Sequence, residues 1–333
     1  MKINNNWILI LILVGLTSAI IYKAFDTYQK PRIELPNNTH TAWIAPSLYI
    51  DRSLEGEERK LVIYGEELIA NTSKYLGPNG SVAHITNGMN CQNCHLNAGK
   101  KTWGNNYGAV ASTYPKFRDR SGSIESIYKR VSDCMERSLN GVTLDSNTKE
   151  MQAMIAYIKW VGHEVQKDSV PKGSGIKPPE YLDRAASPLN GKIVYQNKCQ
   201  SCHGSDGQGL IAADALSYTY PPLWGKNSYN SGAGLYRLSR LAGYVRDNMP
   251  FNQSTHESPA LSDEECWDVA AFVNSQPRPT KDLTSDWPNV SKKPVDHPFG
   301  PYTDGFNETQ QKFGPFKPIL EARKKQSNKS KSS

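Results

Sequence analysis

Apolar positions along the chain recur mostly at helical spacing. Glu57 to Ala70 (EERKLVIYGEELIA) places its apolar residues three and four apart and predicts a helix. Ser123 to Leu139 (SIESIYKRVSDCMERSL) and Leu189 to Lys198 (LNGKIVYQNK) predict two more. Two further apolar helices carry Met154 to Ile158 and Val269 to Val273, and Ser262-x-x-Glu265 ahead of the latter is a capping box. Ahead of all this, an uncharged run of 16 residues, Trp7 to Tyr22, stands between Lys2 and Lys23. That length lies between a signal-peptide core and a full membrane span. Residues 1–24 therefore read as an export signal or a membrane anchor, and both alternatives stay open. Either way the remainder is expected outside the cytoplasm, in the periplasm. No Cys lies near the run, which excludes a lipoprotein anchor.

The polar pattern divides the rest. Pro171 to Pro188 (PKGSGIKPPEYLDRAASP) breaks any helix and reads as a linker between regions 45–170 and 189–280. Residues 281–333 are rich in Pro and Lys and read as a loop-rich extension wrapping the body, with Lys324 to Ser333 expected to lack regular structure. A chain of 333 residues with 38% hydrophobic and 21% charged residues is too apolar for whole-chain disorder and long enough for about two domains. The net charge of +7 is thinly spread and partly gathered in the tail, and no nucleic-acid module accompanies it.

Candidate chemistry sits on six Cys and seven His. Cys91-Gln-Asn-Cys94-His95 and Cys199-Gln-Ser-Cys202-His203 are both CxxCH. That spacing lets two thiols add to the vinyl groups of one haem while the adjacent His reaches the iron. Two such motifs imply two covalently bound c-type haems, since neither a four-Cys zinc site nor disulfides require the trailing His. Pro115 and Pro222 follow the two motifs at similar distances. A backbone carbonyl there that orients the ligand His and an ordinary turn proline are the two readings left open.

The halves are repeats. The motifs recur after 108 residues and the closing helices after 115, which aligns Met249 with Cys134 and Cys266 with Met151. In the second half Met249, in Asn248-Met249-Pro250, is the candidate second iron ligand. In the first half Cys134 falls at that position, with Met135 as its rival. A thiolate stabilises ferric iron and is also a nucleophile, which a plain carrier does not need. Arg130, Cys134 and Ser138 are spaced i−4, i and i+4 and share a helix face, with Arg120, Arg118 and Arg137 nearby. Guanidinium groups there fit a tetrahedral oxyanion. Cys266 reads as a buried core thiol, with a disulfide to Cys134 as its alternative. His84 precedes the first motif as ligand or packing residue. His163 ends a helix, and His40, His256 and His297 lie in loops without ligand spacing.

The second half, with its CxxCH, Gly204, PPLWG stretch, Met249 and final helix, resembles a class I cytochrome c. The order CxxCH, FRDRSG (Phe117 to Gly122), KRVSDCMERSLNG (Lys129 to Gly141), CxxCH, NMPFN (Asn248 to Asn252) and WDVAAFVNSQPRP (Trp267 to Pro279) resembles the dihaem thiosulfate dehydrogenases. The resemblance implies an all-α fold of two cytochrome c-like domains in tandem. It makes 45–170 the catalytic domain, with His95 and Cys134 on haem 1, and 189–280 the electron-transfer domain, with His203 and Met249 on haem 2. It places Arg120, Arg130 and Ser138 in the substrate site. Some relatives carry Lys just before the Met, where this chain has Asn248. The implied reaction interconverts thiosulfate and tetrathionate, with an external cytochrome c or a membrane partner, reached through anchoring at residues 7–22, exchanging electrons at haem 2. An electron-transfer module without substrate and a haem subunit of a multi-protein sulfur-oxidising complex are the alternatives. A dihaem peroxidase is the weakest, because it needs an open iron site.

Overall fold

A computed structural model describes residues 42–51 and 53–332. The apolar run 7–22 and His40 lie outside the described residues. Within them, no helix is long and apolar enough to cross a membrane.

Each half is built on a pair of crossing helices. In the first lobe α1 (Gly56–Ala70) packs on α3 (Lys149–Val161), with α2 (Ile127–Arg137) between them in sequence. In the second lobe α4 (Pro188–Lys198) packs on α6 (Asp263–Ser275), and α5 (Leu238–Asn248) lies against α6. Both crossings hinge on a glycine. A Cβ on Gly65 would stand 2.0 Å from the Ala153 carbonyl oxygen, and one on Gly191 would stand 1.8 Å from that of Asp268. Glycine costs helix propensity, about 1 kcal/mol relative to alanine, but here it lets two backbones touch. Apolar stripes close over the contact: Leu68, Met154 and Tyr157 in the first lobe, Tyr195, Trp267 and Ala270 in the second. Serine and threonine caps begin these helices. Thr148 accepts from the Met151 N–H, Ser187 from that of Asn190, and Ser262 forms the expected capping box with Glu265. Cys266 is fully buried in the second core and forms no disulfide with Cys134.

Two expectations fail locally. The helix expected over Ser123 to Leu139 starts only at Ile127. Residues Ser123–Glu125 instead form strand β2, paired antiparallel with β1, Lys116–Arg118. The Ser126 hydroxyl accepts from the Lys129 N–H and so fixes the helix start after the strand. The tail expected to be irregular is helical, as α8 (Lys317–Ser332) following α7 (Glu308–Phe313). Phe316 and Ile319 insert into the second core, and good helix formers continue from there. Arg323 bonds Asp304 at 2.7 Å on the way.

The extension from 281 onward is a strap that touches both lobes. Its Trp287 N–H donates to the Arg120 carbonyl at 2.7 Å in the first lobe, while Phe306, Phe313 and Phe316 pack into the second. The lobes also meet directly. The Tyr244 hydroxyl donates to the Asn93 carbonyl at 2.9 Å, and Trp103 stacks on His256 with ring centres 3.8 Å apart.

Candidate active site

The first CxxCH begins as a tight turn, Cys91–Asn93, held by reciprocal bonds between Asn90 and Asn93. His95 follows. Its Nδ1 donates to the Asn105 carbonyl at 2.6 Å, and its ring lies 4.7 Å from that of Tyr107. The orienting carbonyl is therefore ten residues past the His, not near Pro115. In the second motif His203 Nδ1 donates to the Pro221 carbonyl at 2.9 Å, one residue before Pro222. In both motifs Nδ1 is committed to a backbone carbonyl, so Nε2 is the ring nitrogen that could meet a haem iron. This donor set fits a covalently bound haem. Burial pushes the thiols up, Cys91 to about 11 and Cys94 to about 12.

The β1–β2 ribbon presents Arg118 and Arg120, and α2 presents Arg130, Cys134 and Ser138. All five line one cavity of about 290 Å³ together with Cys94 and His95. The candidate residues named from sequence for the first haem's far side thus come together. Met135 does not join them. It is 1% exposed and belongs to the first hydrophobic core. His84 is exposed in a loop and does not line the cavity. Met249 caps the end of α5, its N–H bonded to Val245, and is half-buried.

Charge in the cavity is unevenly compensated. Arg120 pairs with Asp133, which Lys129 also reaches at 2.6 Å. Burial opposes ionisation of Asp133, but Arg120, Lys129 and Arg137 outweigh it and hold the carboxyl below the usual range. Arg137 grips Asp286 of the strap with both arms, at 2.7 and 2.8 Å. Among the described residues no carboxylate pairs with Arg130. Burial raises the Cys134 thiol, yet Arg130 and a hydrogen bond with His95 together bring it down to about 7. A cysteine sulfur, a guanidinium without a carboxylate partner among the described residues, and the His95 ring thus face one space.

Sequence reading missed a second set of lining residues. Arg237 and Arg240 come from the second lobe, and Asp286, Trp287 and His297 come from the strap. Their separation in sequence leaves no local signal beyond the two arginines of YRLSR on an amphipathic helix. His297 is 8% exposed, with Nδ1 at 3.1 Å from the Phe299 carbonyl, and burial lowers it from 6.5 to about 4. Because the folded value lies below the unfolded one, the unfolded chain takes up the proton first. Stability contributed by neutral His297 is full above pH 6.5 and is lost as pH falls toward 4. Urea unfolding of the holoprotein is expected to show a loss of about 2 kcal/mol between pH 7 and pH 5 from this group, absent in His297→Phe.

Comparison with known proteins agrees with this geometry. Residues 81–166 match the SoxA/TsdA cytochrome c domain and residues 189–277 match cytochrome c. A thiosulfate dehydrogenase from Allochromatium vinosum is 37% identical over 199 residues, which is 59% of this chain and 72% of the relative. One from Stutzerimonas stutzeri is 34% identical over 226 residues, 66% of this chain and 68% of the relative. This chain belongs to the thiosulfate dehydrogenase family. A thiosulfate dehydrogenase from Psychrobacter arcticus is 36% identical over 209 residues, and the match spans 62% of each protein's length. Among solved structures, a thiosulfate dehydrogenase (TsdBA) from Marichromatium purpuratum superposes with a TM-score of 0.65 at 27% identity, covering 72% of this chain and 50% of that one. As a member of the thiosulfate dehydrogenase family, the chain has two cytochrome c domains in tandem and carries two c-type haems.

Proposed function

We propose that this protein interconverts thiosulfate and tetrathionate in the cavity beside His95, with 45–170 as the catalytic domain and 189–280 as the electron-transfer domain. Cys91, Cys94 and His95 would hold one haem, with the Cys134 sulfur as a further ligand. Cys199, Cys202 and His203 would hold the other, with the Met249 thioether. Each haem, when bound, supplies a one-electron couple, so two haems match a two-electron sulfur reaction.

The observation that carries this reading is the convergence of Cys134, Arg130 and His95 on one cavity. Two thiosulfates join through their outer sulfurs. One S–S bond forms, two electrons leave, and no proton or oxygen atom is needed. The obstacle is electrostatic, because two dianions must meet. Arg130 offsets that repulsion at the sulfur end, and Arg120 and Ser138 add donors along the same wall. The Asp133 and Asp286 carboxylates fix Arg120 and Arg137, so the walls keep their shape when substrate is absent. Electrons pass through the second domain to or from an external cytochrome c or a membrane partner. The direction follows from the haem potentials relative to that partner. We place the catalytic unit in the periplasm, with residues 1–24 as export signal or anchor.

The test is an anaerobic visible spectrum of the oxidised holoprotein before and after thiosulfate, then of the reduced form with tetrathionate. Reduction of the haem bands with tetrathionate formed, and the reverse with the second compound, is the expected result. Unchanged bands in a protein that still exchanges electrons with a small cytochrome c would leave it an electron carrier.

A further inference from the structure

The arginines lining the cavity fall into two groups. Arg120, Arg137 and Arg237 are already neutralised. Arg237 bonds Asp296 at 2.9 Å through Nε and at 2.5 Å through Nη2. Asp296 is itself buried and also accepts from the Ser239 N–H at 3.0 Å. Arg130, Arg118 and Arg240 are less fully compensated. Arg130 serves the Cys134 end. Arg118 makes only a long ion pair, 4.0 Å from the buried Glu125 carboxylate and beyond hydrogen-bond distance, so its N–H donors remain open. Arg240 gives one arm to the Ile176 carbonyl at 2.9 Å and pairs with no carboxylate among the described residues.

Arg118 and Arg240 come from different lobes, one from β1 and the other from α5, yet both line the same space. Burial first, then the like charge of Arg237, holds the Arg240 guanidinium below its usual range, and Arg118 adds to the effect. Bringing like charges together in a half-buried wall is unfavourable unless an anion sits between them. Trp287 lines the cavity too, and its buried indole N–H has no acceptor.

The proposed reaction requires such a place. When two thiosulfates approach through their outer sulfurs, their sulfonate groups point to opposite ends. Arg130 and its neighbours serve one end only. We propose that Arg118 and Arg240 hold the sulfonate of the second thiosulfate, in a subsite built from both lobes. This rests on the thiosulfate reading for the identity of the ligand, though the subsite itself is one for a divalent tetrahedral oxyanion. Occupancy neutralises the two guanidinium groups and draws the lobes together across the substrate.

Sulfate, which is divalent and tetrahedral but does not react, is the probe. Titration calorimetry of the oxidised holoprotein is expected to show two sulfates bound. Arg240→Met keeps the side-chain stem and removes the charge, and it should weaken one sulfate about tenfold or more while leaving the other. Arg118→Met should weaken that same site from the other lobe, and it decides the matter if the Arg240 variant fails to fold. Arg240→Lys should recover most of the affinity, which a merely structural bond to Ile176 would not produce. In turnover, both Met variants should raise the thiosulfate concentration for half-maximal rate with the haem spectrum unchanged. One sulfate on the native protein, or two undiminished in both Met variants, overturns the subsite. If thiosulfate reduces the haems while only one sulfate binds, the subsite falls and the function stands. If two sulfates bind but thiosulfate leaves the haem bands unchanged, the function falls and the oxyanion subsite stands.

Discussion

Cys134→Ala is expected to lower thiosulfate turnover about a thousandfold or more, as removal of an essential nucleophile does elsewhere. Both haems should remain attached, because Cys91, Cys94, Cys199 and Cys202 are untouched. The physical basis is the pairing of the Cys134 sulfur with the Arg130 guanidinium. Arg130 is held above its usual range chiefly by the Cys134 charge, so each group stabilises the other's ionised form. Alanine leaves Arg130 facing the cavity without its partner and removes the only sulfur on that wall. Steady-state rates, with the haem content checked by absorbance, decide the matter. Turnover within about threefold of the native rate would remove Cys134 from the chemistry, since loss of a true participant costs far more.

Gly191→Val should strongly damage the fold of the second lobe. The added Cβ would sit 1.8 Å from the Asp268 carbonyl oxygen and 2.9 Å from Phe272 Cβ, and no rotamer change moves a backbone atom. The two helices must separate, which opens the contacts of Tyr195, Trp267 and Phe272. It also disturbs Asp268, whose carboxylate takes both arms of Arg184 at 2.8 and 2.9 Å. We expect a loss of about 4 kcal/mol or more, above ordinary overpacking, because the clash is with main chain. Gly65→Val should act similarly in the first lobe, where the clash is with the Ala153 carbonyl. Urea unfolding of holoprotein measures both, and near-native midpoints would show that the crossings can open without cost.

Local patterns carried much of this molecule. CxxCH is legible because the chemistry needs its residues side by side. The repeat set Cys134 beside Met135 without choosing between them. In the fold Ile127, Val131 and Met135 are buried on α2, while Cys134 lines the cavity with Arg130. Other features had no signature. The Asn105 carbonyl that orients His95 is a backbone acceptor, and any residue type supplies one. The start of α2 was misread because Ser126 serves equally as a helix residue or as a cap, and the β1 partner that decided it is a tertiary neighbour. Arg240, Asp286 and Trp287 reach the cavity only through the folded path of the chain, so spacing within the haem motifs gave no hint of them. The tail helix was missed because its anchor is two residues, Phe316 and Ile319, ahead of a strongly basic run.

The strap carries a consequence for how such a protein diversifies. Each lobe owns a complete helix crossing and its own haem motif, so either looks like a portable module. The cavity does not divide that way: its walls come from the first lobe, from α5 of the second, and from Asp286 and Trp287 beyond both. A descendant that kept both lobes but exchanged the segment after residue 280 would retain its redox centres and lose a wall of its binding chamber. Part of the chamber's shape is then inherited with the tail, while the haem motifs and the lining arginines are inherited with the lobes, and the two are free to evolve at different speeds.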